Sequence, residues 1–147
     1  MSRLIHYSHK PLGKLYSREH TERQGGYAKT PGLWVSVEGP DDWASWCESE
    51  NFGIGPIATE IFLAPNCRLL RIFDEDGIDD FSRKYVAVGD YFAVPDWLRV
   101  RAKYQGMIIS PYIWERRLSD AMWYYCWDCA SGVIWDVSAI AETRVNG

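Results

Sequence analysis

Hydrophobic positions along this chain fall in short runs broken by polar or Gly/Pro-rich stretches, the pattern of brief strands rather than long helices. The first run, 3–8, reads as a strand ended by Lys10-Pro11-Leu12-Gly13. A polar segment, 17–30, follows as a surface loop or a ragged helical turn. Pro31-Gly32 is a turn signal before a second strand, 33–37. Gly39-Pro40-Asp41 then introduces a helix that Asp41 or Asp42 can cap, with Trp43, Trp46 and Cys47 on one face. Segments 58–63 and 67–72 read as strands around a Pro65-Asn66 turn, and in the first Thr59 and Ile61 share a face opposite Glu60 and Phe62.

The second half is less regular. Asp74 to Gly77 reads as an acidic turn, and 79–85 as the start of a short helix. The stretch 86–101 has no clean period, though Asp96 after Pro95 can open a helix through Trp97, Leu98 and Val100. Residues 106–110 form a buried strand stopped by Pro111, and 113–119 is irregular or helical. Segments 122–128 and 132–137 read as two strands joined by Ala130-Ser131-Gly132, hence a hairpin. The sum is six or seven strands with two or three short helices. Strand and helix do not alternate regularly, so a doubly wound sheet is disfavoured. The expectation is a single α+β domain over 1–147, built on two small packed, mainly antiparallel sheets.

Composition narrows the function. Among 147 residues, hydrophobics make up 47% and charged residues 24%, which is globular rather than disordered. There are 8 Trp and 9 Tyr against 5 Phe, and such aromatics suit both cores and half-open pockets. A net charge of −4 argues against general nucleic-acid binding. No apolar run approaches the roughly 18 residues of a membrane span, and the N-terminus lacks a signal-peptide core, so the expected location is cytoplasmic. Cys126 and Cys129 form a C-x-x-C, but Cys47 and Cys67 lie too far apart to complete a zinc set, and packed reduced thiols are expected. Phosphate-loop and His-Glu-x-x-His patterns are absent, and Asp74, Asp76, Asp79 and Asp80 lack calcium-loop spacing.

Three stretches place polar groups in apolar surroundings: Leu4-Ile5-His6-Tyr7-Ser8, Gly32-Leu33-Trp34-Val35-Ser36, and Trp127-Asp128 through Trp135-Asp136. Their content and order resemble the ADP-ribosyltransferase-like family, the NAD-binding fold of diphtheria-toxin and PARP type. The resemblance implies NAD as cofactor, cleavage of its nicotinamide bond and transfer of ADP-ribose to a macromolecular acceptor, a protein in the first instance. It also suggests a small phage or bacterial effector or toxin. His6 then holds a ribose, with Tyr7 and Ser8 beside it, although a core histidine bonded to a backbone carbonyl is the plain alternative. Trp34 and Ser36, two apart on one strand face, line the nicotinamide pocket. Asp128 stabilises positive charge as the bond breaks, with Asp136 as competitor; Asp128 is preferred because it sits at a strand end. Asp stands where the family usually has Glu and needs a closer approach. Lys10, Lys14, Arg18 and Arg23 are candidates for the pyrophosphate, and Gly25-Gly26 with Tyr27 for a lid hinge.

Two other readings remain at this stage. One is a non-catalytic module docking a partner through Trp43, Trp97 or Trp114. The other is removal of an RNA 2′-phosphate, which the acidic balance disfavours.

Overall fold

The computed structural model describes residues 2–21, 28–87, 93–118 and 122–146. Its centre is one seven-stranded sheet in the order β4-β5-β6-β2-β1-β3-β7. The strands are β1 (Leu4–Ser8), β2 (Leu33–Val37), β3 (Ile57–Leu63), β4 (Leu69–Ile72), β5 (Gly106–Ile109), β6 (Ser131–Ile134) and β7 (Ile140–Asn146). The helices are α1 (Trp43–Ser49), α2 (Glu75–Tyr85) and α3 (Trp97–Lys103). Only β4 and β5 run parallel, and α2 and α3 lie in the crossover between them.

The α+β class stands, but the two expected sheets are joined. The join is narrow: β1 and β2 pair only at Leu4 with Val37 and Ile5 with Ser36. On one side of it lie β4, β5, β6 and β2; on the other, β1 is held by β3 through five residue pairs, and β3 by β7.

Alternation along the strands sorts side chains into two cores. Met107, Ile109 and Val133 face a cluster with Ile78 and Phe81 of α2 and Trp97 and Val100 of α3. Leu4, Val35, Ile61 and Ile134 face the other, with Ala139 beneath them. All of β5 is buried, since it is covered on both faces.

Three sequence expectations change here. The hairpin over 122–137 does not form: Met122–Cys126 is a 3-10 turn that buries Trp123 and Tyr124 side by side, which a strand cannot do against one face. Both edges of β6 are already taken, by β5 and β2. Second, α2 starts at Glu75, because the Asp74 carboxylate accepts from the Gly77 N–H and caps the helix. Third, β7 is a strand where none was expected. It lies at the sheet edge almost wholly exposed, so its residues carry no buried-face alternation. Among the described residues no helix is long and apolar enough to cross a membrane.

Candidate functional site

A cavity of about 260 Å³ opens where β1 and β2 part. Its walls carry His6 and Tyr7 from β1, Trp34 and Ser36 from β2, Trp43 from α1, and Trp127, Asp128 and Cys129 ahead of β6. Three segments far apart in sequence therefore meet in one hollow, and five candidate residues, His6, Tyr7, Trp34, Ser36 and Asp128, line it together.

Each is held by its own local contacts. Beyond Ile5 the β1–β2 ladder ends, and the His6 ring fills the gap, with Nδ1 2.6 Å from the Trp34 carbonyl. A carbonyl only accepts, so Nδ1 carries the hydrogen, and in the neutral ring Nε2 is left as an acceptor. The plain alternative for His6, a backbone-bonded histidine, is thus part of its geometry, and it does not remove the ring from the cavity wall. The Trp34 indole meets Trp127 edge-on at 5.0 Å between centroids. Ser36 is buried, and its Oγ accepts from the Trp43 N–H at 2.9 Å, tying β2 to the start of α1. Asp42 caps that helix by accepting from Ser45 N–H, and Trp43 stacks on Trp46 at 4.9 Å.

Asp128 is the carboxylate of the cavity. Its side chain is 31% exposed and lies 3.5 Å from an Arg117 guanidinium nitrogen. Arg117 in turn donates to the Tyr112 hydroxyl at 2.7 Å, and that hydroxyl donates to the Trp127 carbonyl at 2.6 Å. A rigid aromatic frame therefore carries the segment on which Asp128 sits. Beside it, burial pushes the Cys129 thiol up to about 11, so the thiol is protonated at neutral pH and is no nucleophile there. All four cysteines are free, Cys126 exposed and Cys129 buried. Burial, with Asp42 and Glu38 nearby, also raises the Tyr7 phenol.

Other candidates lie elsewhere. Asp136 lines no part of this cavity. Its carboxylate accepts from the Ser138 N–H and hydroxyl and from Gln105, and the Ser138 bonds hold it below the usual carboxylate range. Ser8 donates to the Lys10 carbonyl and is not on the cavity wall. Lys14 and Arg18 border a second cavity of about 270 Å³ with Leu33 and Ile134. Leu33 and Ile134 face opposite to Trp34 and Val133, so this hollow is on the other side of the sheet, and His6 touches both. Arg23, Gly25, Gly26 and Tyr27 fall outside the described residues. Of the docking anchors considered, Trp97 is 1% exposed and belongs to the core, whereas Trp114 is 57% exposed.

Sequence reasoning missed Lys29, whose Nζ lies 4.9 Å from the Trp34 ring centroid within the cavity. Its position five residues before Trp34, in a polar loop, gave no periodic signal. Trp127 was read as a strand residue, so its place as a wall was equally hidden. Among the described residues no cluster of His, Cys, Asp and Glu is suited to a metal ion. Compared with protein-family models, curated proteins and solved structures, the chain matches none.

Proposed function

We propose that the chain is an NAD-dependent ADP-ribosyltransferase-like enzyme that releases nicotinamide and passes ADP-ribose to a macromolecular acceptor. The observation that carries this reading is the convergence of His6, Trp34, Ser36 and Asp128 on one cavity at the β1–β2 parting. The cavity lies where the two strand blocks of the single sheet meet.

The wall chemistry fits the nicotinamide riboside half of the cofactor. An indole face attracts a cationic ring. An imidazole Nε2 accepts from a ribose hydroxyl, and the Ser36 hydroxyl, already accepting from α1, keeps its hydrogen to donate. The cavity is nucleoside-sized, so the adenosine half extends beyond it. Bound NAD supplies a glycosidic bond whose electron pair leaves with nicotinamide as the ring becomes neutral. Asp128, on the cavity wall, would stabilise by charge the ribose carbon that turns positive, while Arg117 and the Tyr112 frame keep the carboxylate in place. The acceptor nucleophile then bonds that carbon and loses its proton.

The test is titration of NAD by calorimetry, followed by chromatographic detection of nicotinamide with cell lysate as acceptor source. The wild type binds NAD and releases nicotinamide. Asp128→Ala still binds and slows release by about 10²–10³-fold, the cost of removing one preorganised electrostatic group. A purified wild-type chain that neither binds NAD nor releases nicotinamide overturns the proposal.

A further inference from the structure

Lys29 occupies a position that the proposed chemistry itself needs. Its ammonium rests on the Trp34 indole at 4.9 Å from the ring centroid, where a cationic nicotinamide ring is expected to stack. Two cations at one indole repel each other, so ligand binding must move the lysine. Among the described residues Lys29 makes no ion pair, and nothing of that kind holds it on the indole. It is also the one permanently cationic side chain among the described residues lining this cavity. Lys14 and Arg18 lie across the sheet. The remaining charge on the wall, Asp128, repels a phosphate.

We propose that Lys29 is the phosphate-reading group of the site. It rests on Trp34 in the free protein and pairs with the phosphate next to the nicotinamide riboside when the ring displaces it. The inference rests on the NAD reading and adds a substrate requirement: the ligand must bring an aromatic cation and an anion together. A nicotinamide riboside without phosphate displaces the ammonium and offers it no partner.

The experiment compares nicotinamide mononucleotide with nicotinamide riboside on wild type, Lys29→Gln and Lys29→Arg by calorimetry. Lys29 is exposed, so the variants keep the fold. In wild type the phosphate tightens binding by about tenfold, the scale of one charge-assisted hydrogen bond. In Lys29→Gln that factor falls to about twofold or less, while the riboside binds as well as to wild type or better, because its competitor for the indole is gone. Lys29→Arg retains the phosphate preference. An equal phosphate factor in wild type and Lys29→Gln overturns the role of Lys29 and leaves the NAD reading standing. Failure of every nicotinamide nucleotide, NAD included, to bind wild type removes both.

Discussion

Asp128 and Asp136 are the same side chain held in different surroundings. Asp136 has its lone pairs engaged by Ser138 and Gln105, and those bonds hold its carboxyl below the usual range. Among the described residues Asp128 has one long contact, from Arg117, and a face on the cavity. A carboxylate already saturated with donors has little left to offer a developing cation; one held at a single edge does. On the proposed function, Asp136→Asn is therefore expected to leave nicotinamide release intact and to keep most of the cap, because the Asn oxygen still accepts from the Ser138 N–H, while the charge is lost. The pH dependence has a definite sign. The folded carboxyl titrates lower than the unfolded one, so its stabilisation is complete above the ordinary Asp range and disappears as pH falls through the lower folded value. Urea midpoints between about pH 2 and 5 should fall less steeply with acid in Asp136→Asn than in wild type. Parallel curves would show that the Ser138 bonds carry no such linkage.

At the scale of elements, α1 is the most informative, because a short helix is marginal alone and depends on its cap and packing. Asp42 accepts from the Ser45 N–H at 2.9 Å and from the Gly39 N–H at 3.1 Å, fixing both the helix start and the turn before it. The same start delivers Trp43 to the cavity and its N–H to Ser36. Asp42→Ala is expected to cost about 1 kcal/mol and, on the proposed function, to weaken NAD binding as well, through the loosened Trp43 wall. Unchanged affinity in a measurably destabilised variant would mean that Trp43 is not part of the binding surface. The cap was legible in the sequence as one of two neighbouring residues, Asp41 or Asp42, because an N-cap is a local signal, here ahead of an apolar face at Trp43, Trp46 and Cys47; the structure selects Asp42. Strands β1, β2 and β5 were legible for the same reason, as short apolar runs between breakers. The 3-10 turn at Met122–Cys126 was not, because its aromatic run has strand composition and only the occupied edges of β6 exclude it from the sheet. Which candidates meet in the cavity was partly legible from motif order. That Lys14 and Arg18 face away depends on strand alternation within a sheet whose pairing no local pattern states.

In the molecule as a whole, the two strand blocks share a seam of two residue pairs, crossed next by the His6 ring. Other contacts brace the chain near it. The Arg101 guanidinium of α3 donates to the Thr30 hydroxyl, to the Pro31 carbonyl and to the Arg18 carbonyl, and it lies over Trp135, so burial lowers its basicity. Arg101 thereby fixes the entry to β2, while His6 fixes the side of β2 that looks across to β1. Removing the ring leaves the Trp34 carbonyl without this partner and opens the wall between the two cavities. His6→Ala is expected to lower stability by about 1–3 kcal/mol, the cost of a part-buried acceptor left unpaired. The loss should concentrate at the seam, so hydrogen exchange should quicken at the amides of β1 and β2 before those of β5 or the β3–β7 pairing. On the proposed function, NAD is expected to give the opposite signature. A ligand gripped by His6 on one block and by Trp34, Ser36 and Asp128 on the other ties the blocks together, and saturating NAD should slow exchange in β1 and β2 together in wild type. Slowing confined to β2 would place the ligand on one block alone, and His6 would then be a structural bridge with no part in holding the ribose.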